Sequence, residues 1–293
     1  MNFLDLIWLV PLFPLLGAVT MLLLGRKLDP QGASHDAIAP SLREAMEHGE
    51  GIAEEAHGHP APAGGKGLIS YLCPGFVLLS FLLSVAATMQ LAGLATRSHE
   101  VVLYEWIAGM PLKLIGGGVS SLSAQLGFLL DPLSAVMILV VSGIGFLIHV
   151  YSVGYMAHDG GYYRFFGYLN LFVFFMLLLV LANNYLLLFV GWEGVGLCSY
   201  LLIGFYFHKK SASDAGNKAF IVNRIGDAAF LLATMLLFVV FGTARFVELD
   251  GLMDTYGRQF ALAAWGPIAV ICILYFFAST GKSAQFPLFV WLP

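Results

Sequence analysis

The chain has 293 residues, of which 59% are hydrophobic and 11% are charged, and its mean hydropathy is +0.84. This composition excludes a soluble globular domain, which needs far more polar surface, and indicates an integral membrane protein. The net charge of −4 and the scattered lysines and arginines offer no basic surface for nucleic acid. The three cysteines lie singly in apolar runs, which favours buried packing over a disulfide framework or a metal site.

Apolar runs of membrane-spanning length recur along the chain. A bilayer core of about 30 Å requires about 20 such residues per helix. The runs predict an all-α, polytopic membrane helix bundle of seven transmembrane helices, near residues 3–25, 68–95, 132–156, 164–182, 184–207, 217–241 and 263–285. The first run has no basic leader or cleavage site and is expected to be retained. Only Asn183 and Asn184 separate the fourth and fifth runs, which predicts antiparallel neighbours.

The segment between the first two runs, residues 28–66, is polar and rich in histidine and glutamate. We interpret it as a solvated insertion outside the membrane, because glycines and prolines interrupt its short amphipathic stretch. A metal site formed by His57 and His59 is the alternative, but a histidine-rich loop without fixed ligand spacing is more often simply solvated.

Residues 100–128 alternate weakly between apolar and polar side chains around glycines 116–118. This pattern predicts a hairpin lying on the membrane surface. Asp131 and Pro132, which follow it, are typical of an N-cap and a first-turn proline opening the third helix.

The basic residues fall unequally on the two sides of this topology. The amino-terminal side has four, namely Arg97, Lys113, Arg245 and Arg258. The opposite side has seven, namely Arg26, Lys27, Arg43, Lys66, Arg164, Lys209 and Lys210. The positive-inside rule therefore predicts an amino terminus outside the cytoplasm.

Glu193, Arg224 and Asp227 lie within apolar runs, where an ionisable side chain costs about 2.5 to 3.5 kcal/mol and is a functional candidate. Glu193 stands near the middle of the fifth helix, too deep to reach water by extension. The glycines at 191, 194 and 196 are expected to leave room for a neighbouring backbone or waters beside its carboxylate. Arg224 and Asp227 are three residues apart, so they share one helix face and can pair with each other or with Glu193. A neutral Glu193 and a static ion pair are the structural alternatives.

Lys282 lies in an apolar run that would be about 46 Å long as one helix, so we expect the run to break. The polar stretch 279–285, with Gly281 and the following Pro287, is typical of an unwound transporter helix. A lysine there can gain or lose a proton as its surroundings change, although a snorkelling lysine is the alternative. Lys218 faces away from Asp227 on an unbroken helix. His149 is interpreted first as a histidine bonded to a backbone carbonyl and second as a candidate relay.

Five motifs occur in order: DPLS at 131–134, HVYSVGYM at 149–156, GWEGVG at 191–196, NKAF to NRIGD over 217–227, and GKSAQFP to WLP over 281–293. With them the chain resembles the subunit L family of bacterial NADH:quinone oxidoreductase, respiratory complex I. Relatives of that family include large subunits of cation/proton antiporters and membrane-bound hydrogenases. The motifs are specific for this antiporter-like superfamily and less so for complex I within it.

The resemblance implies a first inverted repeat of an antiporter-like fold with a broken seventh helix. Residues 1–158 would hold helices one to three with the insertion, and 159–293 the truncated repeat. It implies that Glu193 and Lys282 couple during proton translocation, that Arg224 and Asp227 modulate them, and that Lys218 belongs to the hydrated path. Family members continue with a second repeat, another central lysine and a lateral helix, so the chain is expected to be an amino-terminal fragment that lacks the exit half of the path.

The function predicted is that of a proton-translocating membrane subunit driven by electron transfer elsewhere in the complex. No redox centre or other cofactor is expected in this chain, because it has no cysteine cluster, nucleotide-binding unit or haem ligand pair. The expected partners are the other membrane-arm subunits, protons and lipid. The expected location is the bacterial inner membrane. A cation/proton antiporter subunit, a bicarbonate-uptake subunit and a purely structural subunit are the alternatives, whereas a lipid- or quinone-modifying enzyme lacks a visible nucleophile.

Overall fold

The structure is a computed structural model that describes residues 2–30, 65–113, 119–157, 159–252 and 266–292. Its main helices are α1 (Leu9–Leu28), α2 (Lys66–Ala92), α3 (Pro132–Tyr155), α4 (Tyr162–Leu181), α5 (Tyr185–Ile203), α6 (Lys210–Phe241) and α7 (Pro267–Lys282). In the described part of the chain, six helical segments are long and apolar enough to cross a membrane, and α7 is a shorter apolar helix. A helical membrane bundle is therefore confirmed, and residues 263–265 of the seventh predicted run lie outside the described residues.

Helix α4 lies at the centre of the first five helices. This helix lies against α1, α3 and α5, and α6 packs between α5 and α7. The antiparallel pairing of α4 with α5 is confirmed, and the turn between them is held by Asn184, which caps α5 by accepting a hydrogen bond from the Leu187 amide at 2.9 Å. Close approach of the two helices depends on Gly191, because a Cβ there would lie 2.7 Å from backbone atoms of Leu179.

Strands β1 (His99–Lys113) and β2 (Val119–Leu130) form the predicted hairpin, an antiparallel pair in which Glu100 lies opposite Leu129. The glycines predicted to form its turn lie outside the described residues. The predicted capping of α3 is also confirmed, because the Asp131 side chain accepts a hydrogen bond from the Ser134 backbone amide at 2.7 Å, and the Ser134 hydroxyl oxygen accepts one from the Asp131 backbone amide.

Three of the basic residues that the sequence assigned to two sides make contacts at the ends of the bundle. At one end, Lys66 donates to the carbonyl of Ala157 at 3.0 Å and Arg164 donates to that of Phe205 at 3.3 Å. At the other end, Arg245 binds Glu100 of the hairpin. Most of the predicted insertion, including His57 and His59, lies outside the described residues, as do Arg43 and Arg258.

Helix α7 ends at Lys282, which confirms the predicted break. Ser283 caps the helix, and the amide of Gln285 donates to the carbonyl of Thr280 at 2.9 Å. The indole of Trp291, in the following short 3-10 helix Phe289–Trp291, donates to the carbonyl of Gly281 at 2.8 Å. These bonds satisfy carbonyls that the interrupted helix leaves unpaired, and they fix Lys282 at the carboxyl end of α7.

Candidate functional site

The candidate site lies where α5, α6 and α7 meet. Glu193 comes from α5, Arg224 and Asp227 from α6, and Lys282 from the last turn of α7. Helices α6 and α7 approach closely at Gly226, where a Cβ would lie 3.0 Å from the carbonyl oxygen of Ala278. The junction therefore brings four charged side chains from three helices into one place.

Arg224 bridges the two carboxylates of the site. Its Nη1 donates to Oε2 of Glu193, and its Nη2 lies 3.0 Å from Oδ2 of Asp227. The Asp227 side chain is 5% exposed, against 26% for that of Glu193, so the more deeply buried acid lies on the same helix as the arginine. The spacing in the sequence allowed Arg224 to pair with either acid, and in the structure it pairs with both.

The ammonium of Lys282 is buried and has no hydrogen-bond partner among the described residues. It lies next to α5, since a Cβ at Gly196 would be 2.6 Å from its Nζ and 3.1 Å from Nη2 of Arg224. Gly196 is therefore the position that lets both cations approach the α5 backbone beside Glu193. In this geometry Arg224, rather than Lys282, makes the direct ion pair with Glu193.

The other two glycines of the motif, Gly191 and Gly194, face a neighbouring helix. A Cβ at Gly194 would overlap the ring of Phe175, and Gly191 faces Leu179, so both glycines pack against α4. A neighbouring backbone approaches as expected at Gly191, where Leu179 of α4 lies, whereas Gly194 makes room for the side chain of Phe175. At Gly196 the space that a Cβ would fill is taken by the Lys282 ammonium and the Arg224 guanidinium.

Trp192 is a site residue that the sequence reasoning missed. Its Nε1 donates to Oδ1 of Asp227 at 2.6 Å, and the Lys282 ammonium lies 5.5 Å from the centroid of its rings. The only signal in the sequence was its position within the GWEGVG motif, directly before Glu193.

Lys218 and His149 have surroundings that differ from those of the charged cluster. Lys218 is exposed on α6, whereas Asp227 of the same helix is buried. His149 of α3 is fully buried. Its Nδ1 lies 2.7 Å from the carbonyl oxygen of Gly145, and its Nε2 lies 3.1 Å from the side-chain nitrogen Nδ2 of Asn170. A neutral imidazole satisfies both contacts, by donating from Nδ1 and accepting at Nε2.

A second polar network holds the hairpin to the end of the bundle. Glu100 accepts a hydrogen bond from the side-chain amide of Asn183 at 2.7 Å and from Arg245 at 3.1 Å, and Arg245 also binds Glu248. Burial opposes the charge of Arg245, but the hydrogen bonds and negative charges of the two glutamates outweigh burial and raise its pKa. The Asn184 side chain donates to the carbonyl of Gln125 at 2.7 Å, so the hairpin is fastened to the start of α5.

Comparisons with known families give two matches. Residues 182–293 match the family described as NADH:quinone oxidoreductase/Mrp antiporter, TM. Residues 118–166 match the family described as NADH-Ubiquinone oxidoreductase (complex I), chain 5 N-terminus. The first match contains all four charged residues of the candidate site.

Curated relatives and solved structures agree with these matches. NADH-quinone oxidoreductase subunit L of Neisseria meningitidis is 37% identical over 100% of this chain and 38% of its own length. Its counterpart from Mycobacterium tuberculosis is 46% identical over 68% of this chain and 29% of its own length. The chain thus spans about a third of the length of the curated relatives that it matches.

Two solved structures share the fold. The Mrp complex of Dietzia sp. matches with a TM-score of 0.55 and 27% identity, over 78% of this chain and 22% of that chain. An archaeal membrane-bound sulfane sulfur reductase matches with a TM-score of 0.61 and 17% identity, over 98% of this chain and 46% of that chain. The chain therefore belongs to the antiporter-like family of membrane subunits that includes subunit L of NADH-quinone oxidoreductase.

Proposed function

We propose that the chain is part of a proton-translocating membrane subunit of NADH:quinone oxidoreductase. One observation carries the proposal, namely that the buried ammonium of Lys282, at the end of an interrupted helix, lies beside a Glu193–Arg224–Asp227 ion-pair chain. Buried ionisable groups at a helix break are typical of ion paths through membranes.

The charges of the cluster balance when every group is ionised, because two carboxylates then face an ammonium and a guanidinium. The gain or loss of one proton leaves an uncompensated charge in a medium of low dielectric constant, which is costly. The protonation of Glu193 and that of Lys282 therefore depend on each other. A change of charge close to the cluster therefore changes the protonation equilibria of both residues.

Arg224 supplies a means of switching this dependence. Its guanidinium binds Glu193 and Asp227 at the same time, while Lys282 has no hydrogen bond in the described part of the chain. If Arg224 turned fully to Asp227, the carboxylate of Glu193 would lose its partner and attract the Lys282 ammonium. In this scheme Glu193 and Lys282 carry the proton, and Arg224 with Asp227 modulates them.

The remaining residues extend the scheme. Lys218, exposed on α6, would continue the path toward the basic end of the bundle, and His149 is a candidate relay on α3. Electron transfer takes place in other subunits, and this chain would contribute translocation without a redox centre or other cofactor. Its partners would be the other membrane-arm subunits, lipid and protons.

The topology belongs to the same proposal. We place the chain in the bacterial inner membrane with its amino terminus outside the cytoplasm, because the more basic end of the bundle would then face inward. We divide it into residues 1–158, which hold α1 to α3, and residues 159–293, which hold the first antiporter-like repeat.

The test uses the full-length parent subunit, assembled in its complex and reconstituted in vesicles. NADH oxidation and NADH-driven proton uptake are measured together for Glu193→Gln and Lys282→Ala, after assembly has been verified. We expect both variants to lower the number of protons taken up per NADH oxidised. We also measure the double variant that combines Glu193→Gln with Lys282→Ala. If this variant assembles and takes up protons at the wild-type ratio, the proposal is wrong and the chain belongs to a purely structural subunit.

A cation/proton antiporter subunit is the second candidate, favoured by the 27% identity to the Mrp complex and by the shared family description. It would use the same buried charges. Proton movement driven by a sodium gradient and independent of NADH would select this candidate.

A further inference from the structure

Trp192 contacts two of the four charged residues through different parts of its side chain. The indole N–H donates to Asp227 at 2.6 Å, and the ring face lies 5.5 Å from the Lys282 ammonium. The ring packs against Phe230, whose centroid is 5.3 Å away, and Phe189 also packs against Phe230. The indole ring thus lies in the apolar contact between α5 and α6.

The N–H of the indole determines how Asp227 binds its partners. A buried carboxylate requires hydrogen-bond donors, and a donor to a charged acceptor forms one of the stronger bonds in proteins. Trp192 occupies Oδ1, so Oδ2 is the oxygen that faces Nη2 of Arg224. Arg224 consequently meets Asp227 through one nitrogen and keeps its Nη1 on Glu193.

The face of the Trp192 ring attracts the ammonium of Lys282. A cation within about 6 Å of an indole centroid is attracted by the negative face of the ring, and the attraction is strongest away from water. The ammonium of Lys282 is buried and has no hydrogen-bond partner among the residues that the structure describes. The ring therefore holds the charged form of the lysine next to Gly196 and attracts a neutral amine far less.

We propose that Trp192 is a positioning residue that holds Asp227 with its N–H and Lys282 with its ring, and so sets how Arg224 is shared between Glu193 and Asp227. This inference rests on the proposed function. The competing explanation is that Trp192 only fills the apolar space beside Phe230.

The experiment uses the full-length parent subunit in its assembled complex, in vesicles. Trp192→Phe keeps an aromatic ring but removes the N–H, and Phe189→Leu disturbs the same apolar cluster without touching a charged group. We expect Trp192→Phe to lower the protons taken up per NADH, and Phe189→Leu to leave that ratio unchanged. In an Asp227→Asn background, Trp192→Phe is expected to cause little further loss, because the carboxylate that it serves is gone.

A second measurement leaves Trp192 intact. Ultraviolet resonance Raman spectra report the hydrogen bond of an indole N–H, and we expect the wild-type minus Asp227→Asn difference to show that one indole bond has weakened. This spectrum decides the matter if Trp192→Phe does not assemble. An unchanged indole signal in Asp227→Asn overturns the inference, as does an equal loss in Trp192→Phe and Phe189→Leu.

The controls separate this inference from the proposed function. If Glu193→Gln and Lys282→Ala lower proton uptake but assembled Trp192→Phe does not, the role of Trp192 is wrong and the proposed function stands. If none of the three changes proton uptake, the proposed function fails.

Discussion

Replacement of Gly196 by alanine should separate the stability of the bundle from its function. The new methyl group would lie 2.6 Å from the ammonium of Lys282 and 3.1 Å from the guanidinium of Arg224. Both are ends of flexible side chains, which can move without displacing the backbone. We therefore expect the helices to stay in place and the charged groups to shift.

The two effects differ in size. An alanine within a helix is about 1 kcal/mol more favourable than a glycine, so α5 itself gains stability. Ordinary contact between heavy atoms is about 4 Å, so the Lys282 ammonium must move by about 1 Å or more. A displacement of about 1 Å can slow a reaction about a hundredfold, and we expect proton transfer through Lys282 to slow on that scale.

The assay measures assembly, NADH oxidation and proton uptake of the full-length parent in vesicles. Gly75→Ala is the matched control, because Gly75 lies in helix α2 and, among the described residues beyond its own stretch of helix, no atom lies within 4 Å of its added Cβ. Gly191→Ala is the opposite control, because the Leu179 backbone lies 2.7 Å from its Cβ, and overpacking of this kind costs about 1 to 3 kcal/mol. We expect normal activity from Gly75→Ala, normal assembly with reduced proton uptake from Gly196→Ala, and reduced assembly from Gly191→Ala.

The reasoning would be refuted by full proton uptake per NADH in assembled Gly196→Ala. The position of the Lys282 ammonium beside α5 would then have no bearing on translocation. Poor assembly of Gly196→Ala, at the level of Gly191→Ala, would equally contradict the claim that only flexible side chains have to move.

Three further predictions concern residues outside the charged cluster. Asp131→Ala removes the cap of α3 and should cost about 1 kcal/mol, seen as a lower midpoint of thermal unfolding with unchanged proton uptake per assembled complex. Glu100→Gln weakens the hydrogen bonds from Arg245 and Asn183 and should cost about 1 kcal/mol of stability. We expect faster proteolysis of the hairpin in the intact complex, and proteolysis at the wild-type rate would show that these bonds do not hold the hairpin. His149→Phe removes the acceptor of an Asn170 N–H and should cost about 1 to 3 kcal/mol in thermal unfolding, while loss of proton uptake at full assembly would make His149 a relay.

The sequence by itself determined what depends on residues close together in the chain. Bilayer thickness and hydrophobic run length placed the helices, and the pattern at 100–128 predicted the hairpin that forms between His99 and Leu130. Local chemistry predicted the cap at Asp131 and the end of α7 near Lys282, because turns and caps use side chains within a few residues. Helical spacing placed Arg224 and Asp227 on one face, where they pair.

Only the tertiary structure decided which helix each of these faces meets. A sequence specifies the angles between side chains on one helix but not the rotation of that helix against its neighbours. Gly191 and Gly194 therefore pack on α4, while Gly196, in the same motif, faces the cations of α6 and α7. For the same reason, the bond from Trp192 to Asp227 joins residues 35 positions apart and could not be read from the motif that contains the tryptophan.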